Sequence, residues 1–146
     1  MAAIKLYLHP KASTVTDTTT MLRSHSSPAT HADEIAACIE ACRACLVTCN
    51  SCADACIGGE DPKAMAECIR TDLDCADICV ATIAVLTRQT KTNASIQKAQ
   101  VHAMAAACKA CGDSCMSHAD KHEHCKLCGE TCRQCEQACN DLLSIL

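Results

Sequence analysis

The stretch from Cys38 to Cys56, CIEACRACLVTCNSCADAC, decides the fold, because its six cysteines follow steps of 4, 3, 4, 3 and 4 residues. Residues three and four apart lie on one face of an α-helix. The pattern returns from Cys125 to Cys139, in CKLCGETCRQCEQAC, with steps of 3, 4, 3 and 4. Leucine and isoleucine normally occupy such positions in packed helices. The sequence therefore predicts helices whose buried faces carry thiols.

The composition limits the kind of core that this chain can form. Its 146 residues suffice for one domain, and they include 17 Cys, one Tyr, and no Trp or Phe. The core must therefore consist of small side chains such as Ala, Cys, Leu, Ile and Val. The formal net charge of −4 comes with no basic stripe or aromatic platform, so we expect no nucleic-acid partner. The sequence has no run of about 18 apolar residues, so no membrane span is predicted.

The cysteines also indicate a compartment. Their number exceeds the level that usually marks a disulfide scaffold, and such a scaffold needs an oxidising compartment. Residues 1–10 contain neither an apolar stretch of signal-peptide length nor a twin arginine. An odd number of cysteines cannot pair completely within one chain. We therefore expect reduced thiols in a cytoplasmic protein.

The chain divides into an arm and a bundle. Residues 1–30 are rich in Thr, Ser and His, and they predict a flexible or loosely docked arm. The alternative is a short helix near Thr18–His25 that caps the bundle or an interface. Residues 31–146 predict four helices with connections of about 3 to 5 residues, which make consecutive helices antiparallel neighbours. The fold class is therefore all-α, an up-down-up-down four-helix bundle with a cysteine-lined core.

Capping signals predict the ends of the four helices. The predicted helices run from Thr30 to Gly58, from Asp61 to about Gln89, from Asn93 to about His118 and from Asp120 to about Leu143. Two pairs have capping-box spacing, Thr30 with Asp33 and Asp120 with Glu123. Asp61 before Pro62, and Asn93, are suited to N-caps. Gly58-Gly59 suits a left-handed C-cap.

All cysteines fall on the inner faces of these helices. The first carries Cys38, Cys42, Cys45, Cys49, Cys52 and Cys56; the second carries Cys68, Cys75 and Cys79; the third carries Cys108, Cys111 and Cys115; the fourth carries Cys125, Cys128, Cys132, Cys135 and Cys139. The outer faces carry Glu40, Arg43, Lys109, Asp113, Arg133 and Glu136. Sulfur inside and charge outside is the pattern of a single folded bundle.

The repeated spacing favours a multinuclear metal core over the other uses of cysteine. Structural zinc prefers closed sites of four ligands on turns, whereas these pairs lie within continuous helical runs. The spacing of iron–sulfur ligands is absent, as is the βαβ setting of a thioredoxin-type pair. Cu(I) is soft, prefers thiolate and accepts two or three ligands. If each thiolate bridges two ions, the capacity approaches about 17 Cu(I).

The antiparallel order predicts two different ends. One end gathers soft or borderline ligands, and we expect it to be the mouth through which metal enters; these candidates are Asp61, Met65, His118, His122 and His124. The opposite end gathers Val85, Leu86, Val101, Met104, Leu142, Leu143, Ile145 and Leu146, which form an apolar plug.

Four of the mouth candidates also have an ordinary structural interpretation. Asp61 is equally suited to a simple N-cap, and Met65 to a core position. His118 and His122 suit solvated helix ends as well as metal ligation. Asp72 falls close to the inward register between Cys68 and Cys75, or faces a neighbouring lysine or arginine.

Two stretches resemble the bacterial copper storage proteins. They are ECIRTDLDCADIC, from Glu67 to Cys79, and HEHCKLC, from His122 to Cys128, with the cysteines that follow. The resemblance covers about residues 35–143. It implies a four-helix bundle whose inward cysteines bind many Cu(I) ions, assembled as a homotetramer, with mouth ligands at Asp61, His118, His122 and His124. The absence of a twin-arginine signal resembles the cytosolic branch of the family.

The sequence therefore predicts a cytosolic, non-catalytic protein that stores or sequesters Cu(I). The alternatives are a zinc or cadmium thiolate buffer and a thiol redox protein. An enzyme is not expected, because the chain has no Glu-x-x-His pair for a di-iron site and no Gly-rich phosphate loop. The copper donor is not identified by the sequence.

Overall fold

The computed structural model describes residues 17–146, and these form five α-helices. The helices are α1 (Thr18–Arg23), α2 (Ala32–Ile57), α3 (Ala66–Thr87), α4 (Ala94–Met116) and α5 (Glu123–Leu143). Helix α2 packs against α3 and α5, and α4 packs against the same two helices. This closed ring of antiparallel neighbours confirms the predicted all-α four-helix bundle.

Helix α1 lies on the outside of the bundle against α2. The Asp17 side chain caps it by accepting a hydrogen bond from the Thr20 amide at 3.3 Å. Leu22 is buried, and Arg23 forms an ion pair with Asp33 at 2.6 Å. The short helix considered for Thr18–His25 is therefore present, and it is docked. Of the arm predicted for residues 1–30, residues 1–16 lie outside the described residues.

The N-cap prediction succeeded at one helix. The Asn93 side chain accepts a hydrogen bond from the Ile96 amide at 3.2 Å, which confirms it as the cap of α4. Helix α3 begins at Ala66 rather than directly after Pro62. Asp61 instead caps the preceding turn, because its carboxylate accepts from the Ala64 amide at 3.1 Å.

Three predicted end motifs are wrong. Helix α2 begins after His31, which makes no side-chain cap bond, and Asp33 pairs with Arg23 instead of completing a capping box with Thr30. Helix α5 begins after His122, also without a side-chain cap bond, so Asp120 and Glu123 form no box. Gly58 ends α2 with a φ of −78°, and no described glycine has positive φ. These three helix ends therefore form without the local capping motifs that the sequence predicts.

A glycine brings α4 and α5 close together. A Cβ atom placed on Gly129 would lie 2.6 Å from Met116 Sδ and 3.4 Å from the Met116 backbone nitrogen. A side chain at residue 129 would require the Met116 side chain, which is 42% exposed, to move away from its place at the last turn of α4. This close approach of α4 and α5 places Cys128, next to Gly129, against the thiols of α4.

Ion pairs join the same two helices on their outer side. Asp113 of α4 pairs with Lys109 at 2.8 Å and with Arg133 of α5.

The core changes from thiols to hydrocarbon at one end of the bundle. Its fully buried residues there are Leu86, Val101, Met104 and Leu142. Val85, Leu143 and Leu146 are half-buried and Ile145 is exposed. The predicted apolar plug is therefore present, and it supplies the large side chains that the thiol column lacks.

Helix α2 is also long and apolar enough, by length and composition, to cross a membrane. The core helix of a bundle has the same composition. All six of its cysteines are buried within the bundle, so the packed core accounts for its hydropathy.

We predict that Leu86→Ala lowers the free energy of unfolding of the copper-free protein by about 2–5 kcal/mol, because it leaves a cavity in the plug. Chemical denaturation of the reduced protein measures this loss. Leu127→Ala removes an exposed leucine and should change stability by no more than about 0.5 kcal/mol. Equal losses in the two variants would contradict the assignment of the plug.

Candidate metal centre

All 17 cysteines lie in the core, and none forms a disulfide. Each is at most 2% exposed. The helical spacing explains this arrangement, because steps of three and four residues keep every thiol of a helix on the face that meets the other helices. The predicted cysteine seam is therefore a continuous column of free thiols, enclosed by four helices.

The thiols contact one another across the helices. Cys45 near the middle of α2 lies 3.7 Å from Cys49, 3.6 Å from Cys75 and 3.7 Å from Cys132, measured between Sγ atoms. The closest pair is Cys68–Cys115, at 3.4 Å. Other pairs between helices are Cys38–Cys139, Cys42–Cys135, Cys49–Cys111 and Cys49–Cys128, all at 3.8 Å. A metal ion that binds one thiolate therefore has a second within reach at every level of the column.

Because of these contacts, the pKa differs from one thiol to the next: it is lowered at some cysteines and raised at others. Hydrogen bonding from Cys115 lowers the pKa of Cys68 to about 2. Burial raises the pKa of Cys56 to about 11, and the hydrogen bond with Cys139 raises that of Cys38 to about 12. A buried thiolate is stabilised only where neighbouring S–H groups donate to it. Complete metal loading must therefore displace protons from most of the column.

His124 completes the thiol column at the predicted mouth. Its Nδ1 atom lies 3.5 Å from the Sγ atoms of both Cys52 and Cys125, and 4.0 Å from Cys56 Sγ. The four side chains converge closely enough to bind one metal ion. The sequence prediction of His124 as a candidate ligand therefore matches its position.

A cavity of about 420 Å³ opens beside this group. His122 and His124 line it, with ring centroids 5.3 Å apart. His118 stands behind them, 6.4 Å from the His122 ring. Asp61 and the almost buried Met65 also line the cavity. The structure thus brings four of the five mouth candidates to one cavity and places His118 next to it, while Asp61 also retains its capping role.

Asp72 is the residue that the sequence reasoning left unassigned. Its side chain is fully buried, and it accepts hydrogen bonds from the thiols of Cys111 at 2.9 Å and of Cys115 and Cys128 at 3.3 Å each. No lysine or arginine pairs with it among residues 17–146, so the alternative of a basic partner is wrong. Burial, helped by the Cys111 contact, raises its pKa to about 10. The sequence signal for its inward position was its register, because residue 72 lies four residues after Cys68 and three before Cys75, on the same face of the helix.

The sequence and fold match known proteins. Residues 31–144 match the family model of the copper storage protein. A structure of the copper storage protein Ccsp from Streptomyces lividans, loaded with 10 copper equivalents, is 45% identical and covers 88% of this chain and 99% of its own, with a TM-score of 0.86. A Cu(I)-bound copper storage protein, BsCsp3, is 34% identical over 73% of this chain and 95% of its own, with a TM-score of 0.66.

A further S. lividans structure shows copper loading, with five coppers, to a protein described as a cytosolic copper storage protein. It is 50% identical, covers 78% of this chain and 95% of its own, and has a TM-score of 0.77. The fold, the buried thiols and the family match agree. The chain belongs to the copper storage protein family.

We predict that Asp72→Asn stabilises the copper-free protein at neutral pH. With a folded pKa of about 10, Asp72 stays protonated in the folded state, whereas in the unfolded chain it ionises above pH of about 4. Rising pH between these values therefore favours unfolding. Replacement by Asn should gain roughly 2–4 kcal/mol at pH of about 7 and little at pH of about 4.

Denaturation of the reduced protein as a function of pH measures this gain. Asp77 lies on the exposed side of the same helix, so Asp77→Asn is the matched control and should leave the pH dependence unchanged. A gain for Asp72→Asn that is equal at both pH values would contradict a neutral buried carboxyl.

Proposed function

We propose that this protein stores and sequesters many Cu(I) ions in the cytosol, bound by thiolates inside the four-helix bundle. The observation that carries the proposal is the column of 17 free, buried thiols, with neighbouring sulfurs 3.4–4.0 Å apart. Membership of the copper storage family supports it, as do the copper-loaded structures of its relatives.

Cu(I) suits this column better than other metals. It is soft, binds thiolate strongly and is satisfied by two or three ligands. Because each thiol has several sulfur neighbours, a thiolate can bridge two ions, and the upper limit is about one Cu(I) per cysteine, on the order of 17 ions. A zinc or cadmium buffer would need about four thiolates for each ion. A function in reversible disulfide formation would not explain why so many thiols share one core.

Binding of copper should also stabilise the fold. Small thiols bury less apolar surface than leucine or phenylalanine, so the copper-free core is weakly held along most of its length. Ions that bind only the folded chain stabilise it by mass action. Since thiols lose protons to bind metal, loading should release protons and weaken as the pH falls.

The cavity at His122 and His124 is the proposed route for copper. Imidazole nitrogen is a borderline ligand that can bind Cu(I) and pass it to thiolate. His118, Met65 and Asp61 would hold ions briefly around the same opening. The plug around Leu86 and Leu142 excludes metal from the other end.

The proposed state in solution is a homotetramer, with no catalytic activity. Large apolar side chains remain exposed on α2 and α3, where Val47 is 69% and Val80 53% exposed. A mostly apolar groove is lined by residues of α1, α2 and α3, among them Leu46 and Ile83. Exposed patches of this kind are typical of subunit interfaces. Light scattering of the copper-free and loaded protein measures the assembly.

Anaerobic titration of the reduced protein with Cu(I), against a competing Cu(I) chelator and with a parallel thiol count, tests the function. We expect tight uptake that approaches one ion per cysteine. Saturation at about four or five ions, with effective competition by Zn(II), would instead establish a zinc-type buffer.

We predict that replacing both Cys45 and Cys132 by Ser lowers the Cu(I) capacity by a few ions without unfolding the bundle. Both thiols lie in the middle of the column, where the sulfur of each contacts more than one neighbouring sulfur. The same titration, together with circular dichroism, measures the change. Ser51→Ala, on the exposed face of α2, is the control. An unchanged capacity would argue against storage in the core.

We predict that replacing His118 and His122 by Ala slows Cu(I) loading while lowering the final capacity by at most about one or two ions, because these residues stand at the opening rather than in the column. Stopped-flow mixing with a chelated Cu(I) donor measures the rate. His102 lies exposed on α4, away from the opening, and His102→Ala is the control. Equal rates in all three proteins would remove the proposed route.

A further inference from the structure

One oxygen donor stands inside the column of sulfur. On α3 the inward residues are Cys68, Asp72, Cys75 and Cys79, in steps of 4, 3 and 4. A cysteine at residue 72 would continue the seam and add a soft ligand. The carboxylate oxygen is a hard donor that Cu(I) uses poorly. Storage of Cu(I) alone therefore gives no reason for a buried carboxyl at this level.

Several sulfurs converge on this oxygen. Cys115 and Cys128 Sγ both lie 3.3 Å from Asp72 Oδ1. Together with Cys52 they form a set of four ligand atoms that all lie within 4.8 Å of one another. The four residues come from α2, α3, α4 and α5, so each helix of the bundle contributes one donor. The set is fully enclosed, because all four side chains are buried.

These dimensions fit a tetrahedral divalent ion. Zinc binds thiolate at about 2.3 Å and carboxylate at about 2.0 Å. A tetrahedron with those bonds has S···O edges of about 3.5 Å and S···S edges of about 3.8 Å. The two S···O distances of 3.3 Å are close to these edges without rearrangement of the backbone. A closed set of four protein ligands is the arrangement of a structural zinc site.

We propose that Cys52, Asp72, Cys115 and Cys128 form a Zn(II) site that is occupied in the copper-free protein. Binding replaces the protons of the three thiols and of the carboxyl by one Zn(II), and the protons leave to solvent. The ion ties the four helices together next to the opening, where the apolar plug does not reach. Cu(I) displaces it as the column fills, because three of the four ligands are shared with the copper store.

The site goes beyond the proposed function and is separable from it. Titration of the reduced, metal-free protein with Zn(II) against a zinc chelator should show one ion bound more tightly than any other. Asp72→Asn removes a direct ligand and should weaken this ion by at least the roughly 10- to 100-fold that loss of an outer-shell partner costs, whereas Asp77→Asn should not. Both variants should keep the Cu(I) capacity to within about one ion, so a failure of Cu(I) storage would be distinguished in the parallel Cu(I) titration.

Co(II) as a spectroscopic probe identifies the ligands. We expect the visible bands of a tetrahedral ion with thiolate charge transfer in the wild type, and their loss or shift in Asp72→Asn. Cys128→Ser provides a second variant that removes a sulfur from the same site, and it should also weaken the first Zn(II). Unchanged Zn(II) affinity in Asp72→Asn would place the ion in an all-thiol set such as Cys45, Cys49, Cys75 and Cys132, and would overturn the proposal.

Discussion

The structure depends on one constraint: 17 thiols must share a dry core in which the polar neighbours of a sulfur are other sulfurs, the Asp72 carboxyl or the His124 ring. A thiol is small, so four helices can approach closely around the column, and Gly129 lets α4 and α5 come closer still. The same smallness removes apolar area from the core. Large side chains are therefore concentrated at the plug, and charged pairs such as Asp113–Arg133 join the helices on the outside.

The antiparallel order of the helices gives the bundle two unlike ends. Helices that alternate in direction bring the loops α2–α3 and α4–α5 to one end, with His122, His124 and Met65 around a cavity. The start of α2, the end of α5 and the α3–α4 loop meet at the other, over Leu86 and Leu142. A column that is open at one end only can fill and empty through a single opening. Storage therefore follows from topology as much as from the number of thiols.

Asp72 shows the effect of placing one carboxyl group in a column of thiols. Every other inward position of the column on α3 is sulfur, and the carboxyl is held there by thiol hydrogen bonds rather than by a cation. Such a group is costly for the metal-free fold, since its ionised form has no positive partner. A metal ion is the partner that would restore the balance of charge, which is why a buried carboxyl among thiols indicates a metal site.

The sequence by itself determined the seam. Steps of three and four residues allow only helices with one sulfur face, and short connections allow only antiparallel neighbours, so the bundle, the inward cysteines and the two unlike ends followed from spacing. Local end signals were less reliable: Asn93 caps its helix, but Thr30, Asp120 and Gly58 do not act as predicted. Helices α2 and α5 begin without a side-chain cap bond, because packing of a buried face stabilises a helix whether or not its end is capped. Only the tertiary structure decided which thiols meet, that His124 reaches Cys52 and Cys125, and that Asp72 faces sulfur rather than a basic side chain. These contacts join residues far apart in the chain, and they depend on the rotation and separation of whole helices, which periodicity along one helix does not encode.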